Sequence, residues 1–287
     1  MGGSADLSLV ATVGDSVFIA SIVIAFLIVV NIFDAPLPVD DSLNKITKAV
    51  SKGHTVLVGQ TQYGKTTAAM WIFTSDFLSG KDACYIFVDT KHDDAVLPFG
   101  SIARNLNDLK AHLLLKTKRI IYRPPGDDGK KEALTDLINT LFSLKGDKPP
   151  LRGHKKRKFA VFIDEVQLYA GNQGKHSGLQ RLSTTGLGKH IYMFAIGQRI
   201  QDINKQVYSQ CNNTIMFFMR ERNDYLNNQG LGAYTNVKEW LRTNKYYFAY
   251  IFAGDDVMRL HSPLPLPEKT GIANLISKKL GGFNLEP

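Results

Sequence analysis

A short glycine-containing loop, Gly59 to Thr67, has residue types that suit the binding of a triphosphate. Its sequence, GQTQYGKTT, matches the spacing G-x-x-x-x-G-K-[ST] at Gly59, Gly64, Lys65 and Thr66. Glycines let backbone N–H groups approach phosphate oxygens, the lysine contacts the β- and γ-phosphates, and the threonine hydroxyl ligates Mg²⁺. The loop therefore predicts binding of ATP with Mg²⁺ through Gly59, Gln60, Thr61, Gln62, Tyr63, Gly64, Lys65, Thr66 and Thr67.

Two adjacent carboxylates, Asp164 and Glu165, could complete this chemistry. They follow Phe159–Ile163, an apolar run typical of a central parallel strand, and ligands of such sheets bind at the carboxyl ends of the strands. We expect Asp164 to bind Mg²⁺ through water and Glu165 to polarise the water that attacks the γ-phosphate. An acidic pair that only caps the next helix is the alternative, and the phosphate-binding loop upstream favours the catalytic interpretation.

The elements around these residues predict the class of fold. His54–Val58 is an apolar run typical of a buried strand, and the residues after the loop, AAMWIF, are typical of a helix. Strand, loop and helix in this order are the context that the loop motif requires. We predict an α/β P-loop NTPase fold of the RecA/ASCE type, with a central, mostly parallel sheet flanked by helices. The 287 residues suffice for one such domain with short extensions.

An uncharged segment near the amino terminus, Val17 to Phe33, predicts a transmembrane helix roughly 25 Å long. A buried core helix and a cleaved signal peptide are the alternatives, but residues 1–16 lack the basic residues of a signal peptide. Lys45, Lys48 and Lys52 follow the segment. The positive-inside rule therefore predicts a single-pass membrane protein whose carboxyl-terminal domain faces the cytoplasm or the interior.

The predicted organisation of the chain follows from these segments. It comprises a short segment (1–16), the transmembrane helix (17–33), a proline-containing linker (34–45), the ATPase domain (46–260) and a carboxyl-terminal tail (261–287).

Basic residues outnumber acidic ones, which gives a net charge of +9 and a pI near 9.4. Such an excess suits a polyanionic partner, either nucleic acid or an anionic membrane surface. The run LRGHKKRK before Phe159 concentrates the charge, and Lys155, Lys156 and Arg157 are candidate contacts to DNA phosphates. A solvated loop is the alternative interpretation of this run.

Three stretches of the sequence resemble the FtsK/HerA superfamily of ATPases that pump nucleic acids. The loop opens with G-x-T at Thr61, and the run CYIFVDTKHDD contains the Asp-x-Lys of the family's second core strand at Asp89 and Lys91. The strand that begins at Ile191 ends in Gln-Arg at Gln198 and Arg199, as in the family. Together these stretches extend over about residues 50–220.

The resemblance also bears on the catalytic residues. Gln198 would emerge at the same edge of the sheet as the phosphates, where a neutral amide can orient the attacking water or sense the γ-phosphate. The predicted catalytic residues are thus Lys65, Glu165 and Gln198. An arginine supplied by a neighbouring subunit is expected in this family, and its candidates are Arg181, Arg220 and Arg222.

The small size of the chain makes it most similar to the genome-packaging ATPases of tailless, membrane-containing viruses. This resemblance implies a membrane-anchored motor that moves viral DNA into a capsid. The implied partners are nucleic acid, the host or virion membrane, capsid vertex proteins and further copies of the chain, with a hexameric ring as the family expectation. The alternatives are a virion-assembly or secretion ATPase of the Zot type and a plasmid DNA-transfer coupling ATPase.

Overall fold

A ten-stranded sheet dominates the described part of the chain. The computed structural model describes residues 39–80, 82–124, 130–146, 154–170, 176–220, 234–254 and 258–267. The strands are β1 (Val39–Asp40), β2 (His54–Val58), β3 (Cys84–Val88), β4 (Ser101–Ala103), β5 (Arg119–Tyr122), β6 (Phe159–Ile163), β7 (Ile191–Gly197), β8 (Cys211–Met216), β9 (Phe248–Ile251) and β10 (Arg259–His261). Their order across the sheet is β1-β10-β9-β8-β2-β7-β6-β3-β5-β4.

The strands from β8 to β4 in this order pair in parallel, whereas β9 runs antiparallel to both β8 and β10. Every residue of β2, β3, β6 and β7 is buried. Since successive side chains of a strand point to opposite faces, both faces of the parallel part are covered. The predicted α/β fold with a mostly parallel sheet is therefore confirmed.

Helices alternate with many of the strands along the chain. They are α1 (Leu43–Val50), α2 (Lys65–Thr74), α3 (Leu106–Leu114), α4 (Lys130–Leu144), α5 (Ser177–Thr185), α6 (Lys205–Tyr208) and α7 (Tyr234–Thr243). Phe73 of α2 contacts the rings of Phe87 in β3 and Phe162 in β6, and Phe162 stacks on Phe194 of β7 with 4.1 Å between ring centroids. This aromatic cluster fixes the helix that follows the loop against the three strands.

The membrane part of the sequence-based prediction is corrected. Among the residues that the structure describes, no helix is long and apolar enough to cross a membrane. The 15 residues of α4 extend about 22 Å, short of the ~30 Å hydrocarbon core, and they include Lys130, Lys131 and Glu132. The predicted transmembrane segment 17–33 lies outside the described residues. The predictions of a transmembrane fold element and of a single-pass membrane location are accordingly wrong.

The described residues of the predicted linker contribute to the sheet. Val39 and Asp40 form β1 and pair in parallel with Leu260 and His261 of β10. The Asp40 carboxylate accepts hydrogen bonds from Ser42 N, Lys45 Nζ and Tyr250 Oη. The ion pair with Lys45 is the main reason that the pKa of Asp40 is lowered to about 2. The bounds of the ATPase domain within the chain stay a prediction.

A buried histidine at the start of β2 makes the fold sensitive to acid. His54 is fully buried, and its Nδ1 accepts a hydrogen bond of 2.9 Å from the backbone N–H of Met193 in β7. Burial lowers the pKa of His54 to about 4. Because the unfolded chain binds a proton near pH 6.5 and the folded chain does not, the stability from this group is present above pH 6.5 and lost as the pH falls towards 4.

We predict that His54→Asn, which keeps an acceptor but cannot titrate, reduces this acid sensitivity. The wild type should lose roughly 3 kcal/mol more free energy of unfolding between neutral pH and pH 4 than the variant, as urea titrations at several pH values would measure. The exposed His92 provides the matched control, and His92→Asn should keep the wild-type loss. Equal losses in the wild type and His54→Asn would contradict the prediction.

Candidate functional site

The phosphate-binding loop lies between the carboxyl ends of two neighbouring strands. Gly59 N donates to Gln198 O after β7 at 3.2 Å, and Gln60 N donates to Phe218 O after β8 at 2.7 Å. Gly59 has φ +151°, and a Cβ added there would lie 2.5 Å from Cβ of Phe217. Gly64, with φ +102°, immediately precedes α2. Both glycines are therefore required by the backbone, because other residues rarely adopt these φ values.

Lys65 is folded back against the loop. Its ammonium group donates to the carbonyl oxygens of Gly59 and Gln60, the latter at 3.2 Å, and the residue is only 8% exposed. Burial lowers the pKa of Lys65, and the carboxylates of Glu165 and Asp164 partly oppose this shift. The loop thus holds a partly desolvated cation beside its backbone, which suits the binding of phosphate oxygens.

Asp164 and Glu165 follow β6 at the same edge of the sheet. Backbone contacts fix Asp164, since its N–H donates to Val88 O at 3.2 Å and its carbonyl accepts from Thr90 Oγ1 at 2.8 Å. Burial of the carboxyl group raises the pKa of Asp164 to about 6. Glu165 has a left-handed backbone, with φ 49°, which is uncommon for a residue other than glycine. This conformation ends the strand abruptly.

The Glu165 carboxylate is surrounded by three side chains. Lys91 forms an ion pair with Oε1, Gln167 donates to Oε2, and the Gln198 amide lies 3.4 Å from both oxygens. Burial alone would raise the pKa of Glu165, but Lys91 and the two amides outweigh it, so the pKa is lowered. Conversely, burial disfavours the charged form of Lys91, yet its contact with Glu165 prevails and its pKa is raised.

One cavity of about 390 Å³ joins the loop to the two carboxylates. Its lining comprises Thr61, Gln62, Gly64, Lys65, Thr66, Thr67, Lys91, Asp164, Glu165, Lys245 and Tyr246. Thr66 and Asp164 present two hard oxygen ligands to it. Mg²⁺ is usually held by one or two such groups, with phosphates and water completing the octahedron, so the donor set fits this ion.

A second, mainly apolar cavity of about 350 Å³ adjoins the first. The two share Gly64, Thr67 and Tyr246, and the remaining lining consists of Ala68, Phe217, Pro263, Leu264 and Leu266. Leu266 is 83% exposed and Tyr246 is half-exposed, so apolar surface is accessible to a ligand here.

The sequence did not indicate several residues that line the main cavity. The sequence marks Lys91 only through the family resemblance, and the proximity of Lys91 to Glu165 follows from the pairing of β3 with β6. Lys245 and Tyr246 lie between α7 and β9, far along the chain from the loop. Gln167, which contacts Glu165 without lining the cavity, is two residues from it in sequence, so its polar side chain near a predicted base is a local signal.

The candidate arginines occupy different places. Arg220 is exposed and follows β8 at the loop edge of the sheet. Arg181, on α5, lies over the Phe142 ring at 4.1 Å from its centroid, and it donates to Asn139. It therefore does not line the nucleotide cavity. Arg222 lies outside the described residues.

The basic run before β6 is only partly exposed. Lys155 and Lys156 are exposed at the amino end of β6, away from the Asp164 edge. Arg157 is 2% exposed, and its guanidinium donates to the carbonyl oxygens of Asp82, Leu113 and Thr117. The prediction of a DNA contact is corrected for Arg157, because its donors are used within the fold.

Comparison with known proteins supports the predicted resemblance. No protein-family model and no curated protein matches the sequence. Among solved structures, the genome-packaging NTPase B204 from Sulfolobus turreted icosahedral virus 2, in complex with sulfate, matches 75% of this chain and 98% of its own, with 20% identity and a TM-score of 0.57. The complex of that protein with ATP-γ-S matches 75% of this chain and 99% of its own, at 18% identity and a TM-score of 0.54.

A third structure agrees with these two. The DNA-packaging ATPase B204 from Sulfolobus turreted icosahedral virus matches 75% of this chain and 98% of its own, with 18% identity and a TM-score of 0.55. At these identities the likeness concerns the fold. The predicted resemblance to viral genome-packaging ATPases is thereby confirmed at that level, and the chain has the α/β fold of a P-loop ATPase.

Proposed function

We propose that this protein is an ATP-driven motor that translocates nucleic acid and packages viral DNA. The observation that carries the proposal is the single cavity lined by the phosphate-binding loop and by Asp164 and Glu165. Its volume of about 390 Å³ suits the phosphates of a nucleotide, and the apolar cavity beside Thr67 suits the ribose and base. The genome-packaging role of the matched B204 structures supports DNA as the cargo.

In the proposed mechanism the loop binds the triphosphate. Lys65 turns its ammonium from the carbonyls of Gly59 and Gln60 to the β- and γ-phosphates, and the N–H groups at the start of α2 face the phosphate oxygens. Thr66 and Asp164 would hold Mg²⁺, and the ion would neutralise charge on the phosphates. Lys65 and Lys91, which line the cavity, would stabilise the charge that develops on the γ-phosphate during its transfer.

Glu165 acts as the general base in this mechanism. Its carboxylate accepts a proton from the attacking water, and the Gln198 amide, 3.4 Å from it, orients that water. Lys91 competes with the water for the Glu165 carboxylate, because its ammonium group is paired with Oε1. Because the γ-phosphate carries more charge than a carboxylate, its arrival draws Lys91 away from Glu165, and the base becomes free to accept the proton.

Assembly into a ring, with six subunits as the expectation, would complete the site. Arg220 is exposed at the edge of the sheet where the nucleotide binds, so it is the preferred candidate for an arginine that reaches a neighbouring subunit's γ-phosphate. Capsid proteins at a vertex are the partners proposed for packaging.

The Glu165→Gln variant separates binding from hydrolysis. We predict nearly unchanged ATP affinity and a turnover number lower by at least about 100-fold, because the amide cannot accept the proton. Fluorescent-nucleotide binding and phosphate release would measure the two quantities. Lys65→Ala should instead lose binding itself, which makes it the matched control. Turnover near that of the wild type in Glu165→Gln would refute its role as the base.

DNA-dependent ATPase activity tests the motor function. We predict that single- or double-stranded DNA raises the rate of hydrolysis severalfold, and that rising salt abolishes the stimulation because phosphate contacts release counterions. A coupled phosphate-release assay with and without each form of DNA would show it. A rate of hydrolysis that neither form of DNA changes would favour the virion-assembly or secretion function and would contradict the proposed translocation.

A further inference from the structure

A basic groove lies at the end of the sheet where β9 and β10 pack beside α1. This concave surface, with a volume of about 440 Å³, is lined by Lys45, Lys48, Ala49, Lys52, Tyr250, Phe252, Ala253, Gly254 and Arg259. All four basic residues are exposed, and no carboxylate of the described residues lines the groove. We propose that this groove, hereafter the α1 groove, binds the sugar–phosphate backbone of nucleic acid.

The charge of the α1 groove depends chiefly on two lysines. Lys45 pairs with Asp40, whereas Lys48 and Lys52 form no ion pair with any described residue. Asp255 and Asp256, close in sequence to Arg259, lie outside the described residues, so the inference rests on Lys48 and Lys52. Two cations on a concave surface, with no ion-pair partner among the described residues, give a local positive potential that attracts a polyanion.

The spacing of the lysines suits a chain of phosphates. Lys45, Lys48 and Lys52 recur every three or four residues, so they form a stripe along one side of α1 and of the turn after it. The stripe is about 10 Å long at ~1.5 Å per residue. Phosphates recur at regular intervals along a nucleic-acid strand, so a stripe of this length can contact more than one of them. A single compact anion would leave part of it unused.

The floor of the groove predicts binding without sequence preference. Tyr250 and Phe252 are only 2% and 8% exposed, and they stack on each other at 4.5 Å. Their faces are therefore not offered to bases, unlike the stacking platforms of proteins that bind single strands through bases. The accessible polar groups are cations, which read the backbone and not the base edges.

A buried amide connects the α1 groove to the strand that carries the nucleotide loop. Asn213 Nδ2 donates to Ala49 O at 3.2 Å and to His54 O at 3.4 Å, and its Oδ1 accepts from Ala253 N at 3.2 Å. Ala49 and Ala253 line the groove, and His54 begins β2. The groove thus lies about 16 Å from the loop, at the opposite end of β2. Nucleic acid in the groove and a nucleotide at the loop can therefore bind at the same time.

This inference deepens the proposed function and rests on it, since the ligand is the nucleic acid that the motor would move. The test compares Lys48→Gln/Lys52→Gln with Lys110→Gln/Lys205→Gln, in which two exposed lysines elsewhere are neutralised. Fluorescence anisotropy of the full-length protein with a labelled duplex of random sequence, from about 50 to about 200 mM salt, would give the affinity and its salt dependence.

We expect the groove variant to bind the duplex about tenfold more weakly, with a slope of log affinity against log salt that is shallower by about 1.8, or 0.9 per lost phosphate contact. The control variant should bind like the wild type, and both should keep the wild-type ATPase rate without DNA and the wild-type melting temperature. Equal affinities for both variants would overturn the groove assignment while leaving the motor function intact. Failure of the wild type to bind any duplex or single strand would overturn both.

Discussion

The nucleotide site depends on the register with which β7 pairs with its two parallel neighbours. Val58 of β2 lies opposite Gly197, and Ile163 of β6 lies opposite Ala195. The chain therefore leaves all three strands at nearly the same level. This is why Gly59 N reaches Gln198 O and why the Gln198 amide reaches the Glu165 carboxylate. Because neighbouring strands are ~4.8 Å apart, the loop and the carboxylates are separated by about 10 Å, a gap that a phosphate chain can bridge.

Burial removes solvent from the charged groups in this gap and so strengthens their electrostatic interactions. It lowers the pKa of Lys65 and raises that of Asp164, so each of these charged groups has less solvation than it would have in water. The Glu165 carboxylate, in contrast, is compensated by Lys91, and its pKa is lowered. A triphosphate with a divalent cation would supply opposite charges to Lys65 and to Asp164 together. The site is thus better compensated with its proposed ligand than without it, which favours binding of the whole metal–nucleotide complex.

The sequence predicts the local parts of this site well and the distant parts poorly. The residues of the loop are adjacent in sequence, and the apolar runs of β2, β6 and β7 predict a parallel sheet. The loop and Asp164–Glu165 were therefore recognisable. Lys91 and Tyr246 come from segments whose position depends on strand order and on the return of the chain after α7, which no short pattern encodes. Arg157 shows the converse difficulty, because its charge suggested a DNA contact while three backbone carbonyls use its donors inside the fold. The edge of the sheet formed by β9, β10 and β1, in which β9 runs antiparallel to both of its neighbours, was likewise not predicted, since strands of two to four residues carry too short a pattern.

The position of α1 gives a physical route by which the two proposed ligands can influence each other. Ile46 and Val50 anchor α1 in the core, and the helix passes directly into β2, whose other end carries Gly59. A displacement of the helix by nucleic acid would act on β2 through its covalent connection and through the Asn213 amide. All five residues of β2 are buried between β7 and β8, which leaves the strand little room to deform. A coupling of this kind would be reciprocal, so nucleotide binding would change the affinity of the α1 groove for nucleic acid by the same factor.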